Sequence, residues 1–279
     1  MKYGITQWSF PGYGLYAVKQ AALAGYEGLQ LECGRQSYGY YLTSRLIRDS
    51  YKEDAKRYGI EFMSVVANDI MFISCQGNTA EQEYADSVKS IDLTIQAAID
   101  MECSKIMLPF FHKSQIRYED EGSFDRAVRV VRETAEKAMG YNLTVEVETT
   151  LSAKRMIHFL KEVDMPNVNN FYDSFNLYWF DELNGKEELP ELIPYNGDEI
   201  HLCDGFGTLA NGGPNGGRLL GEGDGEFDAQ MKILGDSHFD GWLILENVYF
   251  DPNFSGMGDS VELARRDLKI VKNAVDKYF

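Results

Sequence analysis

The stretch that decides the fold is residues 124–148, which read FDRAVRVVRETAEKAMGYNLTVEVE. In its first two thirds, apolar residues recur every three or four positions, which is the period of an amphipathic helix. Its last residues form a short run rich in valine, which is typical of a buried strand. Gly140 stands between the two parts and suits the left-handed residue that ends a helix. The stretch therefore predicts a helix at Phe124–Met139 and a strand at Leu143–Glu148.

The order of helix, glycine and strand recurs along the chain. Gly25 and Gly59 also follow helical patterns, and further helices are predicted at Arg45–Tyr58, Tyr84–Ile99 and Val261–Tyr278. The predicted strands are Lys2–Thr6, Gly28–Glu32, Glu61–Val66, Lys105–Leu108, Leu143–Glu148, Asn169–Asp173, Glu199–Cys203 and Trp242–Glu246. Strands that alternate with helices favour a parallel sheet.

Eight such units in roughly 250 residues are what a (β/α)₈ barrel requires. We therefore predict the α/β class and a TIM barrel that forms a single domain over residues 1–279. The alternative is an open, doubly wound sheet. No G-x-G-x-x-G motif opens a helix after the first strand, which disfavours a dinucleotide-binding version of that sheet. The units after the sixth strand are the least clear.

Composition excludes several classes of partner. The chain has 27 Lys and Arg residues against 44 Asp and Glu residues, a net charge of 27 − 44 = −17. Nucleic acids and anionic membrane surfaces both require basic footprints, so neither is expected as a partner. The N-terminus shows no apolar signal region, and no apolar run is long enough for a transmembrane helix. The four cysteines form no C-x-x-C pair and suit a reducing compartment, so we predict a cytoplasmic protein.

Polar residues end four consecutive predicted strands: Glu148, Asp173, His201 and Glu246. In a barrel the active site lies at these carboxyl ends. Any one of the four, taken alone, is more often a cap, a surface charge or a core histidine. Carboxylates held side by side repel each other and must be neutralised by protons or by a cation. A mostly oxygen ligand set suits a divalent metal, with Mn²⁺ preferred and Mg²⁺, Co²⁺ or Zn²⁺ as alternatives.

Two further carboxylates have open roles. Glu146 shares a face of its strand with Glu148 and is an alternative ligand, although Glu148 lies nearer the strand end. Glu32 ends the second strand and is either a hydrogen-bond acceptor for a substrate hydroxyl or a surface charge.

Several motifs of this chain are similar to those of a known family. Together with the H-x-x-D motif at His201 and Asp204, the LGEGD stretch at residues 220–224 and the Asp240-Gly241-Trp242 approach to Glu246, the chain resembles the xylose-isomerase-like TIM barrels. This sugar phosphate isomerase/epimerase superfamily includes ketose 3-epimerases such as tagatose 3-epimerase. The resemblance implies that the four strand-end residues bind the metal. It also implies that Glu148 and Glu246 flank the substrate and move protons on its opposite faces.

The predicted function is that of a metal-dependent sugar isomerase or 3-epimerase acting on ketoses or related small carbohydrates. A carboxylate removes the proton from the carbon next to the carbonyl, and an enediolate forms. Return of the proton by the same carboxylate isomerises the sugar, and return by the opposite one epimerises it. The alternatives are an inosose-type dehydratase on the same metal site and a non-catalytic carbohydrate-binding barrel. A trinuclear site like that of endonuclease IV needs more histidines than the four in this chain.

Four residues are predicted to contact the substrate: Trp8, His112, Asn176 and Arg218. Trp8 follows the first strand and could form an apolar wall. His112 follows the fourth strand and could face the pocket. The alternative is that it is an ordinary polar residue of the loop. Asn176 stands where similar epimerases usually have His, so the identity of the substrate is left open. Arg218 could supply a positive charge to the substrate site. The equally supported alternative is that it is a solvated loop residue.

The glycine-rich segment from Asp204 to Gly225 is longer than an ordinary turn, and such loops are usually functional or disordered. Few basic residues lie near the strand ends, which makes a phosphorylated substrate less expected. Backbone amides of the glycine-rich segment could nevertheless bind phosphate. Homo-oligomer formation is left open by the sequence.

Overall fold

In a computed structural model of the chain, which describes residues 1–12, 14–77, 81–117 and 120–279, eight strands pair in sequence order and close into a barrel. The pairs β1–β2, β3–β4, β4–β5, β5–β6, β7–β8 and β1–β8 are parallel. The strands are β1 Lys2–Thr6, β2 Gly28–Glu32, β3 Glu61–Val66, β4 Lys105–Pro109, β5 Thr144–Glu148, β6 Val168–Asp173, β7 Asn196–Leu202 and β8 Trp242–Leu245. The predicted TIM barrel is confirmed.

Helices follow the strands as a parallel barrel requires. In the described residues they are α1 Tyr16–Ala24, α2 Arg45–Tyr58, α3 Gln82–Met101, α4 Glu121–Met139, α5 Ala153–Val163, α6 Asn176–Asp181, α7 Gly185–Leu192, α8 Phe227–Asp236 and α9 Ser260–Tyr278. The four helices predicted from periodicity are present, with ends that differ by at most three residues. After β6, where the pattern is weakest, the chain forms two short helices, and Pro190 lies inside the second.

One predicted turn residue is wrong, although the helix before it ends at Met139 as predicted. Gly25 and Gly59 do adopt the left-handed conformation after α1 and α2, with φ of +100° and +71°. Gly140 instead keeps right-handed backbone angles, with φ of −61°. The left-handed residue after α4 is Asn142, at φ +57°. Asparagine tolerates this conformation better than most residues, so the turn is made two positions later than predicted.

Internal packing divides the barrel into two compact units, the first comprising residues 1–30, 53–61 and 172–279, and the second residues 31–52 and 62–171. In the first unit β8 pairs with β1 and β7, and α9 packs on α1 and α8. In the second unit β4 pairs with β5, and α4 packs on β5 and α5.

The strands are buried along most of their length. All five residues of β2 and all four of β8 are buried, although β2 contains the polar residues Gln30 and Glu32. Strands covered on both faces read as nearly continuous apolar runs, so polar residues within them indicate a function. Within the part of the chain that the structure describes, no helix is both long enough and apolar enough to cross a membrane.

Candidate metal centre and active site

The structure brings the four strand-end residues together. Glu148 and Asp173 are the last residues of β5 and β6, His201 lies one residue before the end of β7, and Glu246 follows β8 directly. Each offers one ligand atom, and these four atoms all lie within 4.8 Å of one another. Glu148, Asp173 and His201 are buried, and the side chain of Glu246 is 21% exposed. Three buried or half-buried carboxylates at this spacing require a compensating positive charge, which a divalent cation supplies.

The imidazole of His201 has a defined orientation. Its Nε2 lies 2.7 Å from Oε1 of Gln30, in β2, and its Nδ1 lies 3.1 Å from Oε2 of Glu246. An amide oxygen only accepts hydrogen bonds, so Nε2 carries the hydrogen. Nδ1 of the same ring faces the Glu246 carboxylate, with a lone pair if the ring is neutral and with a second N–H if it is protonated. Two acceptors at 3.1 Å are stabilised by a cation or a proton between them, so the donor set fits a metal ion.

Asp173 is held by the beginning of α6. Its Oδ1 accepts hydrogen bonds from the backbone N–H of Phe175 and of Asn176, at 2.7 and 2.6 Å. The Cys203 thiol lies 3.4 Å from Oδ2 of the same carboxylate. Burial, together with the charges of Asp173 and Glu246, raises the pKa of the Cys203 thiol well above its ordinary value. In this arrangement the thiol is a hydrogen-bond donor to Asp173.

Trp8 contacts the group of four, and its contact with a substrate remains a prediction. Its indole Nε1 donates to Oε1 of Glu246 at 3.2 Å, and its ring meets the ring of His201 edge-on at 6.2 Å. The two oxygens of Glu246 thus have different partners, Trp8 on one and His201 on the other. An indole donor stabilises the ionised form of the carboxylate and restricts its rotation.

The other predicted substrate residues differ in their surroundings. Asn176 is buried, and its Oδ1 accepts from Nδ2 of Asn215 at 3.1 Å. The guanidinium of Arg218 lies 4.7 Å above the ring of Phe206. His112 is exposed and stacks against Phe72, with ring centroids 6.2 Å apart. Their contacts with a substrate remain predictions.

The two carboxylates with open roles are both buried. Glu146 lies inside β5, outside the group of four. Glu32 is fully buried, so its interpretation as a surface charge is wrong. Its oxygens accept from the hydroxyls of Tyr38 and Tyr41, at 2.8 and 3.1 Å, and from Nδ2 of Asn68 at 3.0 Å.

Asp204, of the H-x-x-D motif, organises the glycine-rich segment. Its Oδ1 accepts from the backbone N–H of Gly205 and Gly225, at 2.9 and 3.0 Å, and its Oδ2 accepts from those of Gly221 and Gly223, at 2.8 and 3.1 Å. A Cβ at Gly223 would overlap the Gly205 carbonyl and the Asp204 carboxylate, so only glycine fits there. Because these four amides already donate to a carboxylate, they are not available to a substrate phosphate.

A second buried carboxylate connects the same segment to the end of β8. Oδ1 of Asp267, in α9, accepts from the N–H of Leu220 at 2.8 Å, and its Oδ2 accepts from Nδ2 of Asn247 at 2.9 Å and the hydroxyl of Tyr249 at 2.7 Å. Asn247 follows Glu246 directly and also donates to the Arg218 carbonyl at 2.8 Å. Burial raises the pKa of Asp267 to about 6, although the hydrogen bonds lower it.

Sequence reasoning missed Gln30 and Asp267. Both carried a signal, because Gln30 is a polar residue within a buried strand and Asp267 is an acid on the apolar face of α9. A polar residue at a buried position predicts that a buried polar partner exists, but it does not identify that partner.

The fold and the site define a class of protein: a parallel eight-stranded barrel with a candidate divalent-metal site at the carboxyl ends of its strands. The family model of the xylose isomerase-like TIM barrels matches residues 18–273, and the chain belongs to that family.

Three similar proteins illustrate the range of the family. The 2-epi-5-epi-valiolone 7-phosphate 2-epimerase of Actinoplanes sp. is 26% identical over 264 residues, which cover 94% of this chain and 93% of that protein. D-psicose 3-epimerase from Clostridium cellulolyticum H10, solved with D-tagatose, superposes with a TM-score of 0.74 at 17% identity, covering 98% of this chain and 99% of that one. The IolI protein, solved with a binding zinc atom, superposes with a TM-score of 0.75 at 16% identity, covering 100% and 99%.

Proposed function

We propose that residues 1–279 form one domain that acts as a metal-dependent sugar isomerase or epimerase, moving a proton at the carbon next to a carbonyl. The observation that carries this proposal is the group of Glu148, Asp173, His201 and Glu246, whose ligand atoms lie within 4.8 Å of one another. The hydrogen bond from His201 to Gln30 supports it, because it directs Nδ1 of the ring toward Glu246.

Mn²⁺ is our first choice of metal, since three of the four donors are carboxylates. Zn²⁺ is its main competitor, because the similar IolI protein was solved with zinc. When bound, the metal would polarise the substrate carbonyl as a Lewis acid and so acidify the neighbouring C–H bond.

In this proposal the two glutamates move the proton. Glu246 takes it from the α-carbon, with Trp8 holding Oε1 of the carboxylate through the 3.2 Å hydrogen bond. Glu148 acts on the opposite face of the resulting enediolate. For epimerisation Glu148 starts protonated and gives its own proton to the opposite face of the carbon, which leaves Glu246 protonated. Return from Glu246 to the same carbon gives exchange, and return to the neighbouring carbon gives isomerisation. The buried Asp173 and His201 remain ligands throughout.

The names of relatives suggest the substrate class. The Actinoplanes relative is a 2-epimerase of a 7-phosphate, and a structural neighbour is a ketose 3-epimerase. We therefore propose a ketose or a related keto polyol as substrate. A dehydratase on the same site would lose one water from the product, so product mass distinguishes it. We also propose a cytosolic location, since all four cysteines are free and buried.

The test is solvent exchange. The purified chain, stripped of metal with a chelator and reloaded with Mn²⁺ or Zn²⁺, is incubated in D₂O with a panel of ketoses, ketose phosphates and inososes. We expect deuterium at the carbon next to the carbonyl, together with an epimer or isomer of unchanged skeleton. Exchange should disappear in the stripped protein and return on reloading. A metal-loaded protein that exchanges no proton in any member of the panel would favour the non-catalytic binding barrel.

A further inference from the structure

Arg218 stands out among the residues of the glycine-rich segment, because it is the single cation between Asp204 and Gly225. Its Nη1 donates to the carbonyl of Gly217 at 3.0 Å, and the carbonyl of Asn253 lies 3.5 Å from the same atom. Its guanidinium lies 4.7 Å above the half-exposed ring of Phe206. Within the described ranges no carboxylate pairs with it. Its positive charge is therefore not offset by an ion pair.

Other cations that follow strands differ in this respect. Arg35, after β2, lies 3.7 Å from the buried carboxylate of Glu32. Lys113, after β4, lies 2.6 Å from the carboxylate of Glu83. An arginine whose charge is already compensated attracts an anionic ligand less strongly than one whose charge is not.

The backbone of Arg218 is fixed relative to the proposed base. Its carbonyl accepts from Asn247, the residue after Glu246, at 2.8 Å, and its N–H donates to the carbonyl of Asp204 at 3.2 Å. Asn247 is itself buried and bonded to Asp267. These hydrogen bonds hold the backbone of Arg218 beside the end of β8, where the proposed base Glu246 lies.

We propose that Arg218 binds a phosphate group of the substrate, so that the chain acts on phosphorylated ketoses or phosphorylated keto polyols in preference to neutral ones. This inference rests on the proposed function. Arg218 precedes β8 and reaches the loop after it at Asn253, and TIM barrels frequently bind phosphate with the loops after strands seven and eight. Arginine matches phosphate through paired N–H donors. The amides of Gly205, Gly221, Gly223 and Gly225 already donate to Asp204, which leaves the guanidinium of Arg218 as the cationic donor of this segment.

Binding tests the proposal separately from catalysis. Mn²⁺-loaded wild type is titrated calorimetrically with matched pairs of probes, D-fructose against D-fructose 6-phosphate and D-tagatose against D-tagatose 6-phosphate. The quantity measured is the ratio of the two dissociation constants within a pair. We expect wild type to prefer a phosphorylated member, and Arg218→Ala to lower that preference about 10- to 100-fold. Arg218→Lys should retain part of it, because a point charge remains.

Arg266→Ala is the matched control, since Arg266 also donates to a loop carbonyl, at 3.3 Å from Met257, and lies on the outer helix α9. It removes the same charge and should leave the preference unchanged. No binding of either phosphorylated probe, equal binding within each pair, or a preference that survives Arg218→Ala overturns the inference. An equal loss in Arg266→Ala also overturns it, since net charge alone would then explain the effect. Failure of deuterium exchange would instead contradict the proposed function. The ratios of dissociation constants would still test the role of Arg218.

Discussion

Nε2 of His201 lies 2.7 Å from Oε1 of Gln30, and this hydrogen bond determines which imidazole nitrogen faces Glu246. The hydrogen on Nε2 leaves a lone pair on Nδ1, which points at the carboxylate 3.1 Å away. The partner of a ligating histidine sets its tautomer and its orientation. Gln30 therefore controls the ligand set although its own side chain is not among the four candidate ligands.

Replacing Gln30 by Leu should weaken metal binding about 10- to 100-fold, because the ring loses the acceptor that fixes its tautomer. Replacing it by Glu keeps an acceptor at this position and should preserve most of the affinity. Titration of the stripped protein with Mn²⁺ measures both effects, and a thermal melt of each variant verifies that it is folded. Equal Mn²⁺ affinity in Gln30→Leu and wild type would contradict the role.

Glu246→Gln should slow deuterium exchange at the substrate by about 10²- to 10⁴-fold, because an amide cannot take up the proton, whereas Glu148→Gln should lose epimer formation by a similar factor and keep exchange on the Glu246 face. Glu136→Gln is the control, since Glu136 is exposed on α4 and loses the same charge. Mass spectrometry of the recovered sugar measures the exchange. Full deuterium incorporation by Glu246→Gln, or an undiminished yield of epimer from Glu148→Gln, would remove that glutamate from the proposed mechanism.

Trp8→Phe removes the indole donor to Glu246 and keeps an aromatic ring beside His201. A hydrogen bond to a charged group contributes roughly 1.5–3 kcal/mol, so we expect kcat to fall about 10- to 100-fold. The melting temperature should change little, because Trp8 is only partly buried. The measurement is the steady-state kcat of wild type and variant on a sugar that shows deuterium exchange. An unchanged kcat would show that the hydrogen bond does not act in catalysis.

Asp204→Asn should loosen the glycine-rich segment. The new amide group turns one acceptor into a donor that faces two backbone N–H groups, so two of the four hydrogen bonds are lost. We expect the free energy of unfolding to fall by about 1–3 kcal/mol and the loop amides to exchange faster with D₂O. Asp224→Asn is a matched comparison, since Asp224 accepts a single hydrogen bond from this segment, from the N–H of Gly207 at 2.8 Å. Equal protection of the loop in all three proteins would argue against the role of Asp204.

Asp267 should make a characteristic contribution to the pH dependence of stability. Burial raises its pKa from 3.8 to about 6, so between these values the folded protein binds the proton more tightly than the unfolded chain. Stability therefore falls as the pH rises through this window and stays at the lower value above it. Asp267→Asn has no such titration. The free energy of unfolding of wild type minus that of the variant, measured in urea from pH 4 to pH 7, should decrease up to about pH 6 and then level off. A difference that rises with pH would contradict the assignment.

Much of the fold was predictable because local rules produce it. The strands and the longer helices follow from apolar periodicity, and residues such as Glu148 and Asp173 are visible as the polar ends of buried strands. The turn after α4 was not predictable to the residue, since both Gly140 and Asn142 can close a helix. The two short helices after β6 were missed because their segments lack a clear period.

The sequence by itself determined that this chain is a barrel of the xylose-isomerase-like type with a candidate metal site, because the order of the strands and the identity of their terminal residues follow directly from it. Only the tertiary structure decided how the site is held. Gln30 meets His201 across 171 positions of sequence, and Asp267 joins Leu220 to Asn247. Hydrogen bonds of this kind depend on the closure of the barrel, which brings distant strands and loops together, and no local pattern encodes which buried polar groups will face each other.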